Sequence, residues 1–489
     1  MNILMAASEA VPFCKTGGLA DVVGALAQVM ADRGHSVTLV IPFYRSIKNQ
    51  FSSIKDTSVR FQVPTGNMMR FVKVFELPSP HPQLRYLLIG HNDFFDREGI
   101  YNDSHHESFG DNHLRYAFFS RAVLELAKAI KFTPDVIHVH DWQTGLLPCY
   151  LKSIYKNDEF FRKTATLFSI HNMAYQGNYP DWVLPQIGIP WSEYTMSGVE
   201  FYNKVSYLKS GVVYSDAINT VSPHYAQEVQ TSAEFGCGLE GVLSHRSEYF
   251  KGILNGLDVN YWNPSTDKNI SAHYSSHDLM ERDLCKKDLQ SHCGLPNDFS
   301  VPLLGFVGRM ENQKGVDTLI DLAPQFLKNG CQFVALGQGQ RDYLNALRHL
   351  QFQYPLQVRL IDGFAETVAH KIYAGSDLFL MPSRYEPCGL GQMIAMRYGS
   401  LPVVTPVGGL VDTVVSYKNK KGNGFIAQSN TPGSFLNAIQ EAFSLWKDKK
   451  SWAKIQKNAM RVNFSWDHSA QEYEKFYEKA LRWNFESKI

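Results

Sequence analysis

Cysteine is scarce in this chain of 489 residues: seven stand scattered at positions 14, 149, 237, 285, 293, 331 and 388, with no C-x-x-C pair. An odd, dispersed set argues against a disulfide framework and a structural zinc site, and it suits a reducing cytoplasm. An excess of one charge is also missing, since 48 Lys and Arg face 47 Asp and Glu for a formal net charge of +1. No bulk field is there to gather nucleic acid or a membrane surface, so the expected partner is small or neutral. Long apolar runs are absent too. Val301 to Val307 and Leu378 to Met381 are strand-sized, far short of the ~20 residues that span a bilayer. The N-terminus enters a strand at once, without a signal-like or transit-like composition, so no export is expected.

What is present is a rhythm. Short β-rich runs alternate with helical patterns at Ser36 to Ile41, Leu84 to Ile89, Asn112 to Ala129, Val136 to His140, Thr166 to Ile170 and Ala217 to Val221. The rhythm restarts at Leu303 to Val307, Gln332 to Leu336, Val358 to Ile361, Leu378 to Met381 and Pro402 to Thr405. This order predicts parallel sheets covered by helices, in two doubly wound α/β domains. The domains are expected at 1–253 and 254–467, with a C-terminal helix at 468–489 packing back on the first. The polar, poorly periodic stretch from Asn263 to Ser300 reads as the connection.

In such folds ligands bind beyond the carboxyl ends of strands, so the loops there carry the chemistry. Lys15-Thr16-Gly17-Gly18-Leu19-Ala20-Asp21 lies between a strand at Asn2 to Ser8 and a helix through Val22 to Met30. Two glycines let backbone N–H groups approach a ligand, the helix start adds partial positive charge and Lys15 a full one, which together suit an anion. The spacing of this loop fits neither G-x-G-x-x-G nor the P-loop. A tight turn with a solvated lysine has the same residues, so the loop alone does not decide.

Gly308-Arg309 and Lys314-Gly315 place two permanent cations before a helix, a pattern suited to clamping a diphosphate and equally to solvated surface. Val136-Ile137-His138-Val139-His140-Asp141 ends a strand with His140 at its carboxyl end, placed to hydrogen-bond a sugar. The i, i+2 histidines lack a third nearby metal ligand. His105-His106-Glu107 reads as solvated surface. In Pro382-Ser-Arg-Tyr-Glu-Pro-Cys-Gly-Leu390 the carboxylate of Glu386 precedes backbone N–H groups at Cys388, Gly389 and Leu390 suited to phosphate. Glu386 suits a sugar-facing acceptor or a helix cap. A faint echo of Gly17-Gly18-Leu19-Ala20-Asp21 appears at Gly408-Gly409-Leu410-Val411-Asp412.

Together these motifs, with His171-Asn-Met-Ala-Tyr-Gln-Gly177, Asn219-Thr-Val-Ser-Pro223 and Asn255-Gly-Leu-Asp258, span nearly the whole chain. The set resembles the bacterial glycogen synthase and plant starch synthase family, retaining glucosyltransferases of the GT-B fold. The resemblance implies two Rossmann-like domains facing across a deep cleft; with Lys15 and His140 on one and Arg309, Lys314 and Glu386 on the other, closure on the substrates is expected. It implies a nucleotide-sugar donor, ADP-glucose by family default with UDP-glucose open, and an α-1,4-glucan acceptor, without metal or cofactor. It assigns Arg309 and Lys314 to the diphosphate and His140, Asn255 and Glu386 to the transferred glucose. Lys15, Gly17, Gly18, Asp21, Cys388, Gly389 and Leu390 are the further substrate-binding residues it points to. A homo-oligomer is compatible with it. Departures cluster around the nucleotide: relatives usually carry Thr at Gly391 and Tyr at Ile394, and often Arg-x-Thr-Gly-Gly where this chain has Thr405-Pro406-Val407-Gly408-Gly409. An α-glucan phosphorylase would share the architecture but needs a lysine for pyridoxal phosphate in a C-terminal motif that is not found.

Overall fold

A computed structural model describes residues 1–103, 107–363, 365–417 and 421–486. His105 and His106 lie outside the described residues; Glu107 is exposed. The chain divides into two compact units, one of Met1–Val221, Ala226–Asn255 and the segment from Trp466 onward, the other of Ser222–Tyr225 and Gly256–Ser465.

The first unit holds a nine-stranded sheet in the order Phe250–Gly252, Ala217–Thr220, Ala165–Ile170, Val136–His140, Asn2–Ala6, Ser36–Pro42, Leu84–Gly90, Met68–Leu77, Lys55–Thr65. The first seven strands run parallel, and the four central ones are apolar and buried nearly throughout because helices cover both faces. The sheet is not all parallel, contrary to the sequence-based expectation: Lys55–Thr65 and Met68–Leu77 form a hairpin that adds antiparallel strands at the edge. Their alternation of exposed and buried residues marks a one-sided edge, and Gly66, with φ +57°, sits in its two-residue turn. Such interleaved polar residues do not show as an apolar run.

The helix Trp466–Glu486 packs on the helix Gly18–Asp32 and on the strands Ala165–Ile170 and Ala217–Thr220. A buried polar chain fixes it there. Ser169 Oγ donates to Asn219 Oδ1 at 2.5 Å and lies 2.6 Å from His138 Nε2, so His138 must donate to the serine. His138 Nδ1 therefore accepts from Tyr477 Oη at 2.8 Å, and Asn219 Nδ2 donates to Tyr473 Oη at 3.0 Å. Burial holds His138 neutral, its pKa well below the usual imidazole value.

The second unit is built on a six-stranded, all-parallel sheet: Val358–Asp362, Gln332–Gly337, Leu303–Val307, Leu378–Met381, Leu401–Val404, Phe425–Ile426. The stretch expected as a connection between domains lies inside this unit and contains the helix Arg282–His292. Its polar residues misled because they are buried and paired. Lys286 Nζ sits 2.7 Å from Asp377 Oδ2, which also accepts from the Leu303 backbone at 2.9 Å, and Arg282 Nε donates to the Tyr398 carbonyl at 3.0 Å.

Candidate active site

Among the parallel strands of each large sheet the strand order reverses once, and the candidate loops leave the strands near that reversal, where α/β sheets leave a crevice. In the first unit the reversal lies between Asn2–Ala6 and Val136–His140; in the second it lies between Leu303–Val307 and Leu378–Met381.

In the first unit the helix Gly18–Asp32 opens on Gly17, whose φ of −151° is extended and open to any residue. A Cβ added at Gly17 or Gly18 would meet no protein atom within 4 Å. Neither backbone strain nor packing therefore requires these glycines, and the space beside the helix start is open. Lys15 Nζ pairs with Asp21 Oδ1 at 2.8 Å on the exposed side of the loop. Thr16 donates its backbone N–H inward to the buried carboxylate of Glu9, a residue that sequence reasoning missed. The available signal was an acid just beyond an apolar strand and six residues before the loop's lysine.

His140 is fully buried at the end of its strand; Nδ1 lies 3.0 Å from His171 Nε2, while its own Nε2 has no partner among the described residues. Burial, with the neighbouring His138 and His171 rings, drives its pKa well below the usual value, and His171 falls to about 3 by burial. His140 is thus a neutral hydrogen-bonding group. Asp141 turns the chain off the strand with φ +55° and accepts from the His171 N–H at 2.6 Å. Burial pushes its carboxyl up to about 7 against the hydrogen bonds from His171 and Asn172, and Glu9 adds to the rise. Asn255 is buried with Oδ1 unpartnered among the described residues.

In the second unit two loops are stitched together. Gly315, at φ +65°, brings its backbone so close to Pro382 that a Cβ would sit 2.0 Å from that carbonyl oxygen. Arg384 N donates to the Gln313 carbonyl at 2.9 Å, and Gln313 Nε2 donates to the Tyr385 carbonyl at 3.3 Å. This brings Lys314 Nζ to 2.6 Å from Glu386 Oε2, which also accepts from Ser383 Oγ at 3.0 Å. The Glu386 side chain is 7% exposed, and Gly409 N donates to its carbonyl at 3.0 Å. Arg309 is half exposed beside this pair, 3.0 Å from both Glu311 Oε2 and Gln313 Oε1.

The helix after Glu386 starts at Gly391. Cys388 is buried, Gly389 takes φ +72°, and Gln392 Nε2 holds the Cys388 and Gly389 carbonyls at 3.0 and 2.9 Å. Leu390 occupies the position before the helix. The echo at Gly408-Gly409 has a different cause from the first glycine pair: a Cβ on Gly409 would lie 2.2 Å from the Cys388 carbonyl, so glycine there is a packing requirement. Of the positions that depart from relatives, Gly391 backs onto the Phe379 ring, Ile394 is buried, and Thr405 Oγ1 donates to the Ser383 carbonyl at 2.5 Å.

Arg309, Lys314, Glu386, Cys388, Gly389 and Leu390 thus gather in one unit; Lys15, Gly17, Gly18, Asp21, His140 and Asn255 belong to the other. Among the described residues no cluster of three or more His, Cys, Asp or Glu is placed to hold a metal, and no helix is long and apolar enough to cross a membrane.

Residues 2–245 match the family model described as starch synthase catalytic domain, and residues 296–459 match glycosyl transferases group 1. A glycogen synthase of Elusimicrobium minutum is 43% identical over 98% of this chain and all of its own length, and one of Syntrophotalea carbinolica is 42% identical over 98% and 99%. The catalytic domain of starch synthase IV from Arabidopsis thaliana, solved bound to ADP and acarbose, superposes with a TM-score of 0.89 at 32% identity over 98% of this chain and 99% of that one. A sucrose-phosphate synthase from Thermosynechococcus elongatus, 15% identical with a TM-score of 0.59, shares the fold. The chain belongs to the bacterial glycogen synthase and starch synthase family, glycosyltransferases of the GT-B fold with two Rossmann-like domains.

Proposed function

We propose that this enzyme transfers glucose from ADP-glucose to the nonreducing 4-hydroxyl of an α-1,4-glucan with retention, the chain-lengthening step of glycogen synthesis. The observation that carries the reading is the Lys314–Glu386 pair, held at 2.6 Å by two cross-tied loops beside Arg309. When the bond from the anomeric carbon to the diphosphate breaks, negative charge grows on the leaving group and the glucosyl carbon becomes cation-like. Fixed cations at Lys314 and Arg309 stabilise the first, and the Glu386 carboxylate stabilises the second without reorganising. The bond from the acceptor's O4 to that carbon forms as the other breaks, and the proton leaving O4 passes to the departing diphosphate oxygen.

On the other unit, Lys15 and the glycine-bearing helix start suit donor phosphate or sugar, with Asp21 orienting Lys15. The unpartnered His140 Nε2 and Asn255 Oδ1 suit glucose hydroxyls. ADP bound to the Arabidopsis relative supports the adenine donor. UDP-glucose is the second reading, favoured by Gly391 and Ile394, which offer a nucleotide neither a hydroxyl nor an aromatic ring. Seven unpaired cysteines, six of them buried, suit a cytoplasmic setting.

The test supplies maltoheptaose with each donor in turn and follows nucleotide release and product linkage by NMR. New α-1,4 linkages with ADP release, faster than with UDP-glucose, support the reading; a β linkage or no transfer from either donor contradicts it.

A further inference from the structure

Glu9 is only 3% exposed, yet it stands at the carboxyl end of the first strand, directly beneath the Lys15 loop. Its carboxylate accepts from the Thr16 backbone N–H, from Thr16 Oγ1 at 2.9 and 3.0 Å to its two oxygens, and from Tyr101 Oη at 3.0 Å. Tyr101 is fixed in turn by Ser8 Oγ at 2.6 Å. Thr16 is exposed, yet both its donors turn back to Glu9, as does the backbone N–H of half-buried Gly17, while Lys15 faces out. A buried carboxylate that spends all but its Tyr101 bond on this loop dictates which way the loop presents its cation and its helix start.

We propose that Glu9 is a positioning residue: through Thr16 it sets the orientation of Lys15 and Gly17-Gly18 toward the donor. The inference rests on the functional reading above, in which that loop meets the donor. Losing a charged acceptor lets the Thr16 amide open and spreads Lys15 over several orientations. Donor binding then weakens, while the glucan and the catalytic pair on the other unit are untouched.

The test combines two variants and two readouts. Glu9→Gln removes the charge and leaves one acceptor oxygen for the donors of Thr16 and Tyr101, with an NH2 group in place of the other; Thr16→Val, at an exposed position, removes the Oγ1 bond and leaves the interior intact. Hydrogen exchange of the ligand-free peptide spanning residues 14–18 is expected to quicken by roughly tenfold or more in Glu9→Gln, with the rest of the chain unchanged. The KM for the donor is expected to rise by a similar factor, roughly tenfold, with the glucan KM unchanged and kcat affected less. The double variant should show less than the product of the two single effects, because both sever one connection.

Unchanged loop exchange, or an unchanged donor KM in variants that still transfer glucose, overturns the proposal. Should Glu9→Gln not fold, Thr16→Val decides by the same two readouts. A wild type that transfers glucose from neither donor sinks the functional reading instead, and the exchange measurement still judges the hold of Glu9 on the loop.

Discussion

Lys314 Nζ and Glu386 Oε2 stand 2.6 Å apart although 72 residues separate them in sequence, each presented by a loop at the point where the second sheet reverses its strand order. With side chains 20% and 7% exposed, the pair is partly desolvated, and each side chain is held in position by the other. Neither side chain caps a helix.

Removing either cation is expected to cost rate more than structure. Lys314→Ala and Arg309→Ala should each lower kcat by about 10²-fold or more, because the fixed positive charge matters most as the diphosphate leaves. Arg309→Lys should recover only part, since the planar fork is lost. Steady-state kinetics beside circular dichroism check this; near-normal kcat in a folded variant removes the diphosphate-clamp assignment.

The two glycine pairs should respond in opposite ways to an added methyl group. Gly18→Ala meets no protein atom, so its melting temperature should stay near that of the wild type while the donor KM rises. Gly409→Ala drives a Cβ to within 2.2 Å of the Cys388 carbonyl, which should cost about 2 kcal/mol or more of stability. Thermal unfolding and donor kinetics on both variants separate the two roles.

Asp141 gives a pH signature. Its carboxyl rises from 3.8 to about 7 in the folded chain, so between those values the native state keeps a proton that the unfolded chain has released. Its contribution to stability therefore falls as pH rises through that window and is undiminished below it. Asp141→Asn keeps an acceptor for the His171 N–H and removes the titration. The stability of the variant relative to wild type should climb from roughly pH 4 to 7 and level off above. Urea unfolding across that range is the measurement, and a constant difference would show that Asp141 titrates normally.

The buried chain from His138 to Tyr477 should anchor the C-terminal helix. Tyr477→Phe leaves His138 Nδ1 without a donor and should cost about 1–3 kcal/mol, seen as an earlier thermal transition. A neutral substitution would mean that apolar packing alone holds the helix.

Much of this was legible in the sequence, for reasons that particular residues make plain. Leu303–Val307 and Leu378–Met381 are continuous apolar strands, and Val136–His140 is apolar but for its two histidines; all three are buried nearly throughout, so their composition places the loops that follow them. The hairpin at Lys55–Thr65 and Met68–Leu77 was not legible, because a one-sided edge strand interleaves polar residues with apolar ones. Arg282 and Lys286 read as solvated linker and are buried, since pairing with Asp377 and backbone carbonyls is a long-range fact. Glu9 escaped for the same reason: its partners Thr16 and Tyr101 lie 7 and 92 residues away.

The central claim is that the Glu386 carboxylate acts on the reacting glucosyl group, and Glu386→Gln tests it most directly because the change is nearly isosteric and removes only charge. Steady-state transfer to maltoheptaose, with ADP affinity measured by calorimetry on the same sample, separates chemistry from binding. The expected result is kcat lowered by about 10²-fold or more with ADP affinity kept within about threefold. A normal kcat with weakened nucleotide binding would contradict it and leave Glu386 as a structural partner of Lys314.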